Sequence, residues 1–209
     1  MWEYNILRWI IENLQSPFVT EFMKILTVSG EGAGIFFLIA IIMLFFKKTR
    51  KAAILTIIAL IFVAGFNNFG FKYIVARSRP FLHPQLGGDA LWLSNHVDAF
   101  GDESKFNDFL VPNSYAFVSG HTLSAFLFGF IVAYYHPKVA FPALLLSALM
   151  AFSRLYLGFH YPTDVIGGLI WALIASFALI VTTERHEQDI INWWQKRRSK
   201  KQKSIEEEV

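Results

Sequence analysis

Residues 52–71 contain no charged side chain, and that run limits the chain's options more than any other feature. About 20 apolar residues wound as an α-helix at ~1.5 Å per residue cross a ~30 Å hydrocarbon layer. Inside that layer the backbone must satisfy its own hydrogen bonds, which leaves helices or closed barrels. Three further runs repeat the pattern. Residues 122–135 extend back through Ser119, Gly120 and His121; 139–152 lead into Ser153 and Arg154; and 165–181 lie between Asp164 and Glu184. Residues 32–46 are uncharged but too short alone, so a first span must begin at 25–30, with Glu31 in or near the interface. Only 17% of residues are charged against 55% hydrophobic, including 22 phenylalanines, where soluble domains carry about 25% charged residues. This composition excludes disorder and an ordinary nucleic-acid binder. The expected fold is an all-α integral membrane protein, a bundle of five or six transmembrane helices.

The N-terminus reads differently. Trp2, Ile6, Trp9, Ile10 and Leu14 alternate with Glu3, Asn5, Arg8, Glu12 and Asn13, the pattern of an amphipathic helix lying on a membrane. Residues 1–28 are therefore expected to form an amphipathic segment, 1–183 the membrane domain with a loop at 81–118, and 184–209 a charged tail. The net charge of +3 hides a sorting of signs. Lys47, Lys48, Arg50 and Lys51 follow the first span, Lys138 lies in a short link, and Arg185 with Lys196, Arg197, Arg198, Lys200, Lys201 and Lys203 follows the last. The 81–118 loop instead carries Asp89, Asp98, Asp102, Glu103 and Asp108 against Lys105. Basic segments stay cytoplasmic, so the tail is expected inside and the long loop outside. The histidines and aspartates of that loop match no metal-ligand spacing.

Ionisable groups at span ends are functional candidates, because a charge in hydrocarbon costs a few kcal/mol or more. Lys72 and Arg79 close the second span, seven residues apart and expected on nearly one helical face, with Pro80 ending the helix. Ser119-Gly120-His121 opens the third, Arg154 closes the fourth, and His160 and Asp164 bracket the entry to the fifth. Counting spans brings all four clusters to one membrane face. Gathered cations repel unless an anion lies between them. Phosphate suits the set: arginine donates bidentately, lysine supplies a point charge, and a glycine at a helix N-terminus offers backbone N–H groups. A neutral imidazole can attack phosphorus, an aspartate can fix its tautomer, and a second imidazole can protonate the leaving oxygen.

These residues resemble the signature of the type 2 phosphatidic acid phosphatase (PAP2) superfamily, KxxxxxxRP, PSGH and SRxxxxxHxxxD. Lys72 to Pro80 match the first part, Ser153-Arg154 with His160 and Asp164 match the third, and Val118-Ser119-Gly120-His121 departs from the second by valine for proline. The resemblance implies a PAP2-type bundle and a phosphatase that needs no metal or other cofactor. It implies His160 as nucleophile, Asp164 as its orienting partner and His121 as general acid. Lys72, Arg79 and Arg154, with Ser119 and the Gly120 amide, would hold the phosphoryl oxygens, and Asn68 would support Lys72 by a hydrogen bond or make a plain interhelical contact. Val118 in place of proline is expected to loosen the phosphate loop.

The implied substrate is a lipid phosphate or pyrophosphate: polyprenyl pyrophosphate, phosphatidylglycerol phosphate or phosphatidic acid, met at the outer face of the bilayer, with no nucleic acid involved. Two other readings use the same cradle. One is a glucose-6-phosphatase-like hydrolase of soluble esters; the other is a lipid-phosphate binder or transporter without catalysis. Retention of both histidines and Asp164 favours chemistry over binding alone.

Overall fold

The computed structural model describes residues 2–80 and 115–207, the side chains of 190, 191, 194 and 196–207 excepted. The described residues form helices joined by turns. The loop expected at 81–118 lies outside them apart from 115–118.

Helix α1 (Trp2–Leu14) buries Leu7, Ile10 and Ile11, a spacing of three and four residues that presents one stripe to the bundle. Trp2, Ile6 and Trp9 face outward, where indole rings suit a lipid headgroup layer. Ser16 caps α2 (Pro17–Ser29), its hydroxyl accepting from the Val19 amide, and Pro17 occupies the first turn, where no amide hydrogen is required.

The first span differs from the expected straight helix. The α2 axis and that of the following Glu31–Leu44 segment, which contains α3 (Gly34–Leu44), meet at a 56° bend. Gly32 and Ala33 adopt positive φ, 57° and 62°, and break the helix where Glu31 stands. Gly30 must be small there: a Cβ would meet Met150 Sδ at 2.6 Å and His121 Cδ2 at 2.9 Å.

Helix α4 (Arg50–Val75) contains two wide π turns, at Leu60–Ala64 and Asn67–Phe71. It ends earlier than Pro80 predicts. Ala76 turns left-handed at φ 49°, so Arg79 reaches the site from the non-helical segment after α4 and not from the helical face of Lys72. Helix α5 (Gly120–Tyr135) is the central element, packed against α3, α4, α6 (Ala140–Tyr156) and α7 (Pro162–Glu207). Small residues let its neighbours approach closely. Ser147 of α6 donates to the Ala125 carbonyl at 2.7 Å, and a Cβ on Gly129 would meet that hydroxyl oxygen at 2.5 Å.

Helices α4, Pro137–Tyr156 (which includes α6) and Pro162–Asp189 of α7 are long and apolar enough to cross a membrane, and the bent α2–α3 pair passes the same test together. The apolar α5 is shorter. Outward faces carry Phe18, Phe69, Phe141, Ile74 and Phe177, with Phe69 87% exposed. Apolar surface of that extent is covered by lipid, not water, and the protein is a multi-pass membrane protein. At the end of the bundle away from the site, Lys51 pairs with Glu184 at 2.9 Å and with Glu187. The basic link after α3 and the start of the tail thus meet at one end, as the span count requires.

Candidate active site

The polar residues collected from the sequence converge at the opposite end. Lys72, Arg79, Gly120, His121, Arg154 and His160 line one cavity of about 290 Å³, together with Asn68, Ser124 and Glu31. Five chain segments supply it: the break between α2 and α3, the last turns of α4 with its extension, the start of α5, the end of α6, and the turn before α7.

His160 is 1% exposed. Its Nε2 lies 3.3 Å from Arg79 Nη1. A guanidinium can only donate, so Nε2 is the acceptor and the ring proton belongs on Nδ1. Nδ1 faces Asp164 Oδ2 at 3.7 Å, within reach of a modest closure but longer than a hydrogen bond. Burial, reinforced by the positive charges of Arg79, Arg154 and Lys72, holds the imidazole well below its usual pKa range. It is neutral at pH 7, with a lone pair at the nitrogen on the cavity side.

Arg79 is oriented by the carbonyls of Phe159 at 3.1 Å and Tyr115 at 3.4 Å. Arg154 lies over the Phe159 ring at 4.5 Å and donates to the Thr27 hydroxyl at 2.7 Å. These partners fix the direction of each guanidinium. Thr27, on α2, was not a sequence candidate. Its carbonyl accepts from His121 Nε2 at 3.1 Å, so this residue sets both a phosphate-type cation and the second histidine. Glu31 Oε2 stands 3.6 Å from the same His121 nitrogen.

The Gly120 backbone opens α5 on the cavity wall. Ser119 is fully buried beside the cavity. Its hydroxyl caps α5, accepting from the Thr122 amide and, at 2.9 Å, from the Thr122 hydroxyl, and Ser124 is the serine on the cavity wall. Asn68 also lines the cavity, but its amide oxygen accepts from Asn67 at 3.3 Å. Asn67 in turn donates to the carbonyl of Val118 at 3.4 Å, which ties the departure from the motif to the π turn of α4.

Arg77 is not among the candidates that the sequence signature marks. It lies off the signature spacing, yet its Nη1 donates to Asp164 Oδ1 at 2.6 Å and to Thr163 Oγ1 at 2.6 Å, and its Nη2 to Glu3 Oε2 at 2.8 Å. The available signal was a third cation beside Lys72 and Arg79 in a segment leaving the membrane. Burial alone would lower the Arg77 pKa, but the carboxylates of Asp164 and Glu3 outweigh it and raise the pKa above the usual value.

A helical membrane bundle with cations, two imidazoles and a helix start around one cavity defines a membrane protein built to hold a phosphate-like anion. The chain belongs to the PAP2 superfamily, whose family model matches residues 53–188. It is 34% identical over 70 residues to undecaprenyl-diphosphatase BcrC of Bacillus subtilis, covering 32% of this chain and 36% of that protein. It is 29% identical over 138 residues to an undecaprenyl-diphosphatase of Sulfolobus acidocaldarius, covering 65% of this chain and 57% of that one. These matches thus span about a third to somewhat over half of the curated relatives. The fold is similar to the crystal structure of a transmembrane PAP2-type phosphatidylglycerolphosphate phosphatase from Bacillus subtilis, with TM-score 0.62, 22% identity, and 88% of this chain and 85% of that chain covered.

Proposed function

We propose that the protein is a membrane phosphatase that hydrolyses lipid phosphates or pyrophosphates through a phosphohistidine, without a metal ion. The observation that carries this reading is the neutral His160 imidazole, its acceptor nitrogen beside Arg79 in a cavity shared with Lys72, Arg154 and His121. A phosphoryl group bound among the three cations takes the Arg79 donor from His160 Nε2, and the freed lone pair forms the P–N bond as the bond to the leaving oxygen breaks. His121 gives that oxygen a proton. In the second half, His121 takes a proton from water as the water oxygen attacks phosphorus and the P–N bond breaks. Inorganic phosphate then leaves. Asp164, 3.7 Å from Nδ1 in this structure, closes on Nδ1–H during the reaction and stabilises the cation formed.

Among lipid phosphates, a polyprenyl diphosphate is the leading substrate, because two curated relatives are named for undecaprenyl diphosphate. Phosphatidylglycerol phosphate and phosphatidic acid use the same chemistry. Residues 1–183 act as the catalytic membrane unit and 184–209 as a cytoplasmic tail, with the cavity on the outer face. The sorting of basic residues supports that orientation.

The experiment is phosphate release from detergent-solubilised polyprenyl diphosphate, phosphatidylglycerol phosphate, phosphatidic acid and glucose 6-phosphate, all in EDTA. Wild-type protein is expected to act on the lipids, and His160→Ala to release none while still binding lipid phosphate. Unchanged release by His160→Ala would refute the nucleophile. Activity lost in EDTA and restored by Mg²⁺ would refute metal-free chemistry, and preference for glucose 6-phosphate would refute the lipid reading.

A further inference from the structure

Both oxygens of Asp164 are held by groups other than His160. Oδ1 accepts from Arg77 at 2.6 Å and Oδ2 from the backbone amide of Tyr161 at 2.8 Å. The carboxylate is fully buried, so its rotation is set by these donors, and with it the oxygen offered to His160 Nδ1. Arg77 is itself fixed from several sides. Its guanidinium lies over the Tyr161 ring at 4.1 Å, and its carbonyl accepts from the Ala116 amide at 2.8 Å. Its second terminal nitrogen is bound by Glu3 of α1. Glu3 also accepts from the Thr163 hydroxyl at 2.5 Å and the Thr163 amide at 3.3 Å, which locks α1 onto the first turn of α7. The Glu3 carboxyl titrates below its usual range: burial opposes ionisation, but the Thr163 hydrogen bonds and Arg77 outweigh it. Leu7 and Tyr4 of α1 pack against Tyr161, and the Tyr4 and Tyr161 hydroxyls lie 3.2 Å apart.

We infer that Arg77 is a positioning residue for the His160–Asp164 pair and that Glu3 holds Arg77 in register, so that the amphipathic helix α1 is part of the catalytic scaffold as well as a membrane-surface element. The inference rests on the reading of His160 as nucleophile. Arg77 does not line the cavity; it acts through Asp164. Its charge is met by two carboxylates. Two fixed N–H directions from one nitrogen and a third bond from the other suit guanidinium and not ammonium.

The test compares kcat, KM and pH profiles for phosphate release from polyprenyl diphosphate by full-length protein carrying Arg77→Gln, Arg77→Lys, Glu3→Gln, or Arg77→Gln with Glu3→Gln. A misplacement near 1 Å in a reacting pair can cost about 100-fold, so Arg77→Gln is expected to lose about 100-fold in kcat with KM unchanged. Arg77→Lys, which keeps the charge without the fork, should recover part of it. Glu3→Gln should lose less, and the double variant no more than Arg77→Gln alone, because both act through one network.

The acid limb of kcat/KM should move to higher pH in Arg77→Gln. The groups acting on the carboxylate are Lys72 of α4, Arg77 and Arg79 from the segment after α4, Glu3 and Tyr4 from α1, and His160 and Tyr161 from the turn before α7. Removing Arg77, the cation bonded directly to Asp164, leaves that carboxylate's charge less compensated and so raises the His160 pKa. Partial unfolding would lower the active fraction without moving this limb. An unchanged kcat, a loss confined to KM, an unmoved limb, or losses that multiply in the double variant would overturn the inference. Glu3→Gln, at the edge of the network, keeps the test decisive if Arg77→Gln does not fold: wild-type kcat and pH profile in it would refute the role of α1. His160→Ala separates the two ideas. Loss of release in His160→Ala with full kcat in Arg77→Gln refutes only the positioning role; full release in both refutes the nucleophile itself.

Discussion

Replacing Gly120 by alanine probes the cavity wall with a single methyl group. Gly120 begins α5 with ordinary helical geometry and no positive φ, so alanine meets no backbone strain and gains up to ~1 kcal/mol of helix propensity. The obstacle is on the neighbouring helix. The new Cβ would stand 2.7 Å from Asn68 Oδ1, where ordinary contact begins at 3.4 Å, so Asn68 or the α5 start must yield by ~0.7 Å. Asn68 is held through Asn67, which is fully buried and bonded to the Val118 carbonyl. The open direction for its side chain is the cavity, beside Lys72. Movement on this scale in a phosphate site corresponds to roughly 30-fold in kcat/KM, or about 2 kcal/mol of transition-state stabilisation.

The assay is phosphate release from polyprenyl diphosphate, with thermal unfolding measured in parallel. Gly120→Ala is expected to lose activity at unchanged or slightly raised Tm. In an Asn68→Ala background, where the clash is removed, adding Gly120→Ala should cost no more than about twofold. Equal losses in the two backgrounds would place the damage at the Gly120 amide or its approach to phosphate. That result, or wild-type activity in Gly120→Ala, would refute the steric argument.

Two further outcomes follow from the charge arrangement. Because burial and neighbouring cations hold His160 neutral, protonation removes the nucleophile only below the ordinary imidazole range; the acid limb of kcat/KM is expected below about pH 6.5, and a limb at or above that value would contradict the assignment. The chain has no cysteine, so single cysteines report topology cleanly: Ser104→Cys should react with a membrane-impermeant thiol reagent in intact cells and Lys138→Cys should not. The reverse pattern would invert the proposed orientation.

Much of the site was legible because its residues sit at span ends, where a charge has no structural use in lipid and the order of spans fixes which ends meet. The His160–Asp164 spacing and the Lys72–Arg79 pair could be read that way. The path of the chain between them could not. Pro80 suggested a helix reaching residue 79, but α4 ends at Val75 with a left-handed Ala76, a local choice made by tertiary contacts. The bend at Gly32 and Ala33 was hidden as well: the sequence read 25–46 as one straight first span, because hydropathy does not show where a helix breaks. Thr27 and Arg77 escaped because each acts across a long sequence separation, Thr27 on Arg154 and Arg77 on Asp164. Local spacing carries no trace of such contacts.

The contrast among the arginines explains how one end of a bundle can be both stable and receptive. Arg77 faces two carboxylates, and burying such a set is tolerable because each charge is matched and hydrogen-bonded. Arg154 is directed by the Thr27 hydroxyl and the Phe159 ring, which orient the guanidinium but leave its positive potential in the cavity. That potential costs folding free energy when the cavity holds only water, and an entering phosphate offsets it. Glu31, whose side chain is 72% exposed on the rim beside His121, moderates the field without occupying the centre. A fully neutralised cavity would fold more securely and bind phosphate less well. Pairing Arg77 with carboxylates outside the cavity while Arg154 keeps its potential within is therefore the arrangement expected where an anion must enter, react and leave.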